Sequence, residues 1–374
     1  MDENIYGAEE TPAIVIDIGS GFTKVGFAGD EAPKSIFPTV VGRPESGSSD
    51  TIAAYVGDEA LLKEKSLNIS KPIVSGSVNN WNDYEQILHH AFSNALRVDT
   101  EDYSVLLIET PDNPKASREK MVQMLFEKFG CPHVYLNNHA AMAAHATNTL
   151  TGLSVDIGDD VTYIACLYEG YVIQQSILKL PLGGRDITDE LSRLLIMRGC
   201  DASIFTKQLT AHDIKEKLCY VALSFVDEIN RRDSVKKSYE FPNTQKITAE
   251  RERFSAPEIL FQPSLIKKGL YGIHHFAHQS LLKCDKKTQE ELCKKVILSG
   301  GSTILEGMDT RLIKELGVLG ITGAKCYPSA LLDRNYLAWL GGSILATKPA
   351  FQQMWISRGE YDESGPGIVH RKCF

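Results

Sequence analysis

Two similar turns constrain the fold of this chain more than any other feature of its sequence. They span Asp17–Lys24 and Asp156–Tyr163, and each opens with the same three residues, Asp-Ile-Gly. Each follows a β-branched apolar run and precedes another strand-like run, which predicts a turn between two strands. Such a turn can direct backbone N–H groups at a phosphate while its aspartate reaches toward a bound cation. One copy is weak support, because glycine turns between strands are common, but two copies predict a duplicated domain with a nucleotide between its halves.

The length and composition are typical of a globular protein with two domains. The chain has 374 residues, of which 43% are hydrophobic and 24% are charged, and this is long enough for two domains of ordinary size. Residues Met1–Glu10 are acidic and contain no apolar core segment, so we expect no signal peptide there. No apolar stretch approaches the roughly 20 residues that span a bilayer, so we expect no membrane insertion.

The cysteines and the net charge argue against other classes of protein. Eight cysteines are scattered along the chain without C-x-x-C spacing. This pattern favours reduced thiols in a cytosolic or nuclear protein over a zinc site or a disulfide framework. The formal net charge of −8 argues against general nucleic-acid binding.

Strand-like and helix-like runs alternate along both halves of the chain. Buried strands are predicted over 105–108, 134–136 and 296–299, and helices over 84–92, 116–126, 139–146 and 213–223. Asn80 is predicted to cap the first of these helices, and Asp186 or Thr188 the helix that follows the second turn. Strand, crossover helix and strand in succession predict an α/β domain in each half.

Two polar segments have loop composition. Residues 45–54 include three serines, one glycine and two acidic residues, and they are expected to stand exposed. From composition alone, a partner-binding loop and a flexible loop with no partner are equally good interpretations. The basic run 231–237 is expected to be a solvated loop or a helix end.

Ten short motifs are spread along the chain. They are Gly26–Asp30, Phe37–Pro44, Tyr55–Ala60, Asn113–Ala116, Tyr168–Tyr171, Lys215–Tyr220, Leu298–Gly301, Phe351–Ser357, Glu360–Pro366 and Ile368–Phe374. In order and spacing they resemble the actin family from about residue 12 to the C-terminus, and the final motifs are close to the usual ending of that family. The resemblance implies an α/β fold of duplicated ribonuclease H-like ATPase lobes, shared with Hsp70 and sugar kinases, with the nucleotide in the interlobe cleft.

The same resemblance implies a division of the chain into lobes. The first lobe would take residues 1–147 and 340–374, with an exposed subdomain inserted at about 38–74. The second lobe would take residues 148–339, with a subdomain inserted at about 186–262.

The resemblance also implies a site for ATP or ADP with Mg²⁺ or Ca²⁺. Asp17 and Asp156 would hold the cation mostly through its waters, as Mg²⁺ keeps several of its own. The residues expected to contact the nucleotide are Gly19, Ser20, Gly21, Phe22, Lys24, Gly158, Asp159, Asp160, Val161, Gly184, Lys215, Glu216, Gly300, Gly301, Ser302 and Asn335.

The resemblance makes His139, Tyr163 and Asp156 the candidate catalytic residues for hydrolysis. Two of these positions, 139 and 163, depart from the family. His139 stands where the family has a glutamine that positions the attacking water, and Tyr163 where it has a histidine lining that water. Hydrolysis of a phosphoanhydride depends on placing the water in line, so we expect slowed or altered hydrolysis with normal nucleotide binding. The alternative is that His139 only caps the following helix and that hydrolysis relies on the metal.

Other departures touch the rest of the site. Asp160 replaces a glycine and is expected to add a carboxylate near the phosphates. Asn335 replaces a lysine and His212 an arginine near the base, which predicts modestly weaker base contacts. Ser75 replaces a histidine that actins commonly methylate.

Further departures fall on the surfaces through which the family assembles. Loop 45–54 is four residues shorter than usual, His145 replaces an aromatic residue on the side that receives this loop, and Lys267 and Lys268 add charge to a second contact element. These changes predict weaker or differently specified longitudinal contacts, because a smaller apolar plug buries less surface. The barbed-end cleft resembles that of the family in sequence and is expected to bind actin-binding proteins.

Three classes of function are open at this point. The favoured class is a divergent actin of the cytoplasmic cytoskeleton, a weak ATPase that polymerises with itself. The alternative is an actin-related ATP-binding subunit of a larger complex that does not form filaments alone. A sugar or glycerol kinase is disfavoured, because it needs an aspartate base beside a substrate hydroxyl and nothing beyond the phosphate turns supports it.

Overall fold

A computed structural model describes residues 11–44, 54–206, 208–231, 235–241, 246–328 and 333–373. The predictions for loop 45–54 therefore lie almost wholly outside the described residues, as do those for Met1–Glu10 and for part of the run 231–237. In chain order, the strands of the described residues are β1 Ile14–Ile18, β2 Phe22–Phe27, β3 Ser35–Pro38, β4 Val41–Pro44, β5 Tyr55–Val56, β6 Leu67–Ser70, β7 Ile73–Val74, β8 Ser77–Val78, β9 Val105–Glu109, β10 His133–Asn138, β11 Gly152–Ile157, β12 Thr162–Tyr168, β13 Tyr171–Val172, β14 Leu178–Leu180, β15 Lys237–Glu240, β16 Lys246–Ala249, β17 Lys295–Ser299, β18 Lys325–Tyr327 and β19 Ile356–Ser357.

The α-helices alternate with these strands. They are α1 Asp58–Leu62, α2 Trp81–His89, α3 Lys115–Gln123, α4 His139–Ala146, α5 Gly184–Met197, α6 Gln208–Leu218, α7 Phe225–Asn230, α8 Glu252–Ser255, α9 Ile273–Leu282, α10 Lys286–Leu292, α11 Met308–Val318, α12 Leu337–Ala346, α13 Arg358–Ser364 and α14 Val369–Lys372. As predicted, Asn80 caps α2, since its side chain accepts from the N–H groups of Asn82 and Asp83.

Two large sheets have the same topology, as the paired turns predicted. The first has the order β19-β10-β9-β1-β2-β3, and the second has the order β13-β12-β11-β17-β18, with β14 also pairing with β12. In both sheets an antiparallel hairpin (β1–β2 or β11–β12) is followed outward by two parallel strands. Each turn therefore lies at the same place in its sheet.

Each sheet has its own hydrophobic core. The first core is formed mainly by residues between 13 and 144 and by the C-terminal residues from 337 onward, and the second by residues between 153 and 324. A small third cluster of Val40, Tyr55, Ala60 and Leu67 lies under the β4–β5–β6 sheet. The β1 strand shows why the large sheets form, because Ile14–Ile16 are all fully buried, as expected for a continuous apolar strand covered on both faces.

Helices α4 and α12 cross at very close range, next to the two points where the chain passes between the lobes. A Cβ atom added to Gly341 of α12 would lie 1.7 Å from the carbonyl oxygen of Met142 in α4. Helix α12 follows the last strand of the second sheet but docks on the first, where Trp339 Nε1 donates to the Val15 carbonyl at 2.9 Å. The crossing therefore leaves no room for a side chain at Gly341.

Predicted boundaries of α6 and α5 are wrong. Helix α6 begins at Gln208 and not at residue 213. Helix α6 ends at Leu218 and not at residue 223, because the chain beyond it pairs elsewhere: the Val221 N–H donates to the Glu306 carbonyl at 2.7 Å. Helix α5 begins at Gly184, so neither Asp186 nor Thr188 is its N-cap residue. The Asp186 carboxylate instead accepts from the N–H of Gly183 at 2.9 Å from inside the first turn.

In the part of the chain that the structure describes, the helices are all too short or too polar to cross a bilayer.

Gly341→Ala tests the helix crossing. On helix propensity alone this change would stabilise the protein by about 1 kcal/mol. Because the new methyl group would overlap a backbone carbonyl, we expect the free energy of unfolding to fall by about 2–3 kcal/mol instead, as measured by chemical denaturation. The matched control is Gly317→Ala in α11, where an added Cβ meets nothing within 4 Å and should not destabilise. Equal effects of the two changes would contradict the close crossing.

Candidate functional site

The two turns face one another across a single cavity between the lobes. The cavity has a volume of about 380 Å³ and is lined from the first lobe by residues 17–22 and from the second by Asp156, Gly158, Asp159 and Val161. The turns approach so closely that a Cβ atom on Gly21 would lie 2.8 Å from the Cβ of Asp159. The position of Gly21 therefore requires a residue without a side chain.

The cavity brings together all of the sequence-predicted site residues except one. Those that line it are Asp17, Gly19, Ser20, Gly21, Phe22, Lys24, His139, Asp156, Gly158, Asp159, Val161, Tyr163, Gly184, Lys215, Glu216, Gly300, Gly301, Ser302 and Asn335. Asp160 does not line the cavity. Its Oδ2 accepts from the backbone N–H of Ser75, in the other lobe, at 2.7 Å.

Sequence reasoning missed a group of first-lobe residues at the floor of the cavity. Glu109, Thr110 and Asn113 line it, and Glu109 accepts from Arg118 Nε and Asn113 Nδ2, both at 2.7 Å. Burial raises the pKa of Glu109 despite the adjacent Arg118 charge. The sequence did hold a signal for these residues, because β9 ends at Glu109. The carboxyl ends of adjacent parallel strands meet at one edge of a sheet, so Glu109 could have been expected near the first turn.

Both turns leave backbone donors unused. The N–H of Gly19 closes the first turn onto the Phe22 carbonyl at 3.1 Å, and that of Gly158 closes the second onto the Val161 carbonyl at 3.0 Å. Within the described ranges, no group accepts a hydrogen bond from the N–H groups between these closures, which belong to Ser20, Gly21, Asp159 and Asp160. Successive unpaired N–H groups in a turn form an anion-binding concavity, so these donors fit an anionic ligand.

Asp17 lies at the centre of a small ionic cluster. Its two oxygens contact Lys24 Nζ at 3.0 Å and His139 Nε2 at 2.9 Å. Burial alone would raise the pKa of Asp17, but the Lys24 and His139 charges outweigh it and hold that pKa well below its usual range. Burial likewise lowers the pKa of His139, but the Asp17 carboxylate reverses this and leaves it raised.

His139 does not cap the helix that it begins. The side chain of Asn138 is the cap, because its Oδ1 accepts from the Ala141 N–H at 2.9 Å. His139 instead turns its ring into the cavity, and its Nδ1 is buried without a partner among the described residues. The alternative that His139 serves only as a cap is therefore wrong.

The second turn has no lysine opposite its aspartate. Lys24 lies directly opposite Asp17 in the β1–β2 register, and Tyr163 lies directly opposite Asp156 in the β11–β12 register. Asp156 instead accepts from Ser299 Oγ at 2.8 Å. Tyr163 is 2% exposed, and burial together with the Asp112 carboxylate raises its pKa.

The far side of the cavity is shaped by glycines and a buried lysine. Lys215 is 4% exposed, and its Nζ donates to the Gly184 carbonyl at 3.2 Å. A Cβ atom on Gly184 would lie 2.5 Å from Ser302 Oγ, and one on Gly301 would lie 2.8 Å from Asn335 Oδ1. These glycines keep open a surface that any side chain would fill.

His212 lines the cavity from the second lobe and contacts the first lobe. Its ring centroid lies 5.7 Å from that of Phe22 in the first lobe, and its Nε2 lies 3.7 Å from a Glu216 oxygen. Burial, with the Lys215 charge, lowers the pKa of His212. This contact crosses between the lobes.

The donor set fits a divalent cation that arrives with a phosphorylated ligand. In the described part of the chain, no cluster of three or more His, Cys, Asp or Glu could hold a metal ion. Mg²⁺ is usually bound through one or two carboxylates plus substrate phosphates and keeps several waters. The carboxylates of Asp17 and Asp156, beside the unused turn donors, match that mode.

The fold and this cavity define a two-lobed α/β protein with paired glycine turns in its interlobe cleft. The family model named Actin matches residues 8–374, which is nearly the whole chain. The chain therefore belongs to the actin family, and both the resemblance and the predicted two-lobed fold are confirmed. Proteins of this family generally bind ATP or ADP with a divalent cation and are generally ATPases.

Proposed function

We propose that this protein is a divergent actin, a cytoskeletal protein of the cytoplasm that binds ATP or ADP with Mg²⁺ or Ca²⁺ and polymerises into filaments. The observation that carries the proposal is the convergence of both turns, Asp17 and Asp156 on one cavity between the lobes. Family membership over residues 8–374 supports it. Self-association and actin-binding proteins at the barbed-end cleft follow as the proposed partners.

The phosphates and the cation would be held at the two turns. The unused N–H groups of Ser20, Gly21 and Asp159 would bind phosphate oxygens, with Lys24 balancing their charge. Asp17 and Asp156 would hold the cation, which supplies charge neutralisation at the phosphates. No further protein ligand is required for this arrangement.

The base and ribose would lie on the second-lobe side. Lys215 is a buried ammonium whose one described hydrogen bond is to a carbonyl, and burial lowers its pKa. A buried charge that is incompletely paired is costly, so a ligand acceptor there would be strongly favoured. Glu216, Gly184, Gly300–Ser302 and Asn335 would complete this side.

Lys215→Met tests this placement. Losing a charge-assisted hydrogen bond should weaken ATP binding about 10-fold or more, as measured by calorimetric titration. The thermal stability of the nucleotide-free protein should be unchanged or higher, because an incompletely paired buried charge is removed. The control is Lys217→Met two residues away, whose exposed ammonium pairs with Asp213 at 2.8 Å and should leave affinity unchanged. A loss of stability without a loss of affinity would contradict the placement.

Hydrolysis is proposed to be slowed or altered. The side chains at positions 139 and 163 line the attacking water in the family, as the resemblance implies. His139 contacts Asp17 at 2.9 Å, and the Tyr163 hydroxyl is so close to Gly76 that a Cβ there would lie 2.5 Å from it. Both side chains are therefore engaged with other groups of the protein, and misplacing a water-positioning contact can cost about 100-fold in rate.

The proposed assembly surfaces are partly described. Tyr171, on the side expected to receive loop 45–54, is 57% exposed. Burial lowers the pKa of His145, on the same side, to about 4. Lys268 turns back onto its own lobe, where its Nζ contacts Asp186 at 2.6 Å. The added charge of Lys268 is thus largely compensated within the subunit, and Lys267 is the lysine expected to alter the longitudinal contact.

One assay tests polymerisation and hydrolysis together. The protein is pelleted at rising concentration with Mg-ATP, and phosphate release is followed in the same samples. We expect pelleting above a threshold concentration, with phosphate release delayed behind it. The double variant His139→Gln with Tyr163→His restores the family residues and should speed phosphate release about 10- to 100-fold. Each single variant serves as a control for the other.

The outcomes separate the candidate functions. Pelleting with undelayed phosphate release, or release that the double variant leaves unchanged, would contradict altered hydrolysis. Bound nucleotide with no pelleting at any soluble concentration would favour the alternative, an actin-related subunit of a larger complex. Failure to bind ATP would sink both.

A further inference from the structure

Three departures from the family meet at one contact between the lobes. Strands β7 and β8 are joined by the two-residue turn Ser75–Gly76. The backbone N–H of Ser75 donates to Asp160 Oδ2 of the second lobe at 2.7 Å. Tyr163, also of the second lobe, packs against Gly76, where a Cβ atom would lie 2.5 Å from the Tyr163 hydroxyl. We call this contact the cross-lobe latch.

The Ser75–Gly76 turn has the backbone conformation of a tight hairpin turn. Ser75 has φ 49° and Gly76 has φ 70°, the left-handed pair that a two-residue hairpin turn requires. Serine is uncommon in this conformation. Because Ser75 is in the two-residue turn, its N–H lies at the tip of the hairpin. From its own lobe the turn is held by Thr110 Oγ1, which donates to the Gly76 carbonyl at 3.3 Å.

The side chain of Asp160 is placed for the latch and not for the cavity. Its side chain is 10% exposed, and one of its oxygens lies 4.0 Å from Arg185 Nη1. Its Oδ1 is buried and has no partner among the described residues. Arg185 itself is paired with Asp159, so the strongest described hydrogen bond of the Asp160 carboxylate is the one that crosses to Ser75.

We propose that Asp160 controls nucleotide exchange by holding the interlobe cleft closed through Ser75. The inference rests on the proposed nucleotide site, because the latch spans the edge of that cavity. Opening the cleft must separate the second turn from the β7–β8 hairpin, and this breaks a hydrogen bond to a charged acceptor, which is stronger than a neutral one. Nucleotide must pass through an open cleft both to enter and to leave, so the latch slows both entry and release.

Asp160→Ala tests the latch in two ways. In the nucleotide-free protein, the Ser75 amide should exchange with deuterium at least 10-fold faster than in the unaltered protein. The Asn79 amide, which donates to the Pro72 carbonyl at 2.8 Å at the base of the hairpin, should keep its protection. In stopped-flow measurements with ATP, association and dissociation should both accelerate about 10-fold, leaving Kd nearly unchanged.

Two further variants sharpen the result. Asp160→Asn keeps a neutral acceptor and should give a smaller acceleration than Asp160→Ala. Asp201→Ala is the matched control, because Asp201 also accepts from a backbone N–H, that of Ser203 at 2.9 Å, but within its own lobe. It should change neither rate.

The outcomes distinguish the latch from the nucleotide site. Unchanged exchange of the Ser75 amide would overturn the latch whatever the nucleotide result. Faster amide exchange with unchanged ATP kinetics would overturn its control of the cleft. A faster dissociation with no change in association would assign Asp160 to direct nucleotide contact instead. An unaltered protein that binds no ATP would overturn the proposed function, while the amide measurement still decides whether the latch exists.

Discussion

The crossing of α4 and α12 is the constraint on which the rest of the structure depends. Gly341 lies against the Met142 carbonyl with no room for a side chain, and close-packed contacts of this kind have few alternative arrangements. His139 is the first residue of α4, and the segment leading into α12 lines the cavity at Asn335. The helix crossing therefore also fixes where two cavity side chains begin, and a change of packing there would move them directly.

The duplicated topology makes the differences between the copies informative. Both hairpins carry an aspartate at the same register position, but its partner across the ladder is Lys24 in one copy and Tyr163 in the other. The first copy places positive charge beside its carboxylate. The second places an aromatic side chain that reaches past the cavity to Gly76. One copy thus serves charge balance within the cavity, while the other also contributes to the contact between lobes.

Patterns local in sequence predicted most of this fold, and long-range contacts account for what they missed. The turns, the buried strands, the Asn80 cap and the bounds of α4 follow from residue spacing alone. Helix α6 ends early because Val221 pairs with Glu306, a partner far away in sequence. The hydrogen bond of the Asp160 carboxylate to Ser75 was missed for a similar reason, since Ser75 lies far from Asp160 in sequence and only the fold brings it within reach.

The two aspartates of the cavity differ in what a cation would have to displace. Asp17 is already contacted by two nitrogens, at 2.9 and 3.0 Å, whereas the described contact of Asp156 is a hydroxyl. A divalent cation near both carboxylates would repel a protonated imidazole and the Lys24 ammonium but not the Ser299 hydroxyl. The rearrangement on binding would therefore fall on the first lobe, at His139 and Lys24. Because His139 begins the helix that crosses α12, a shift of its ring would act next to that crossing.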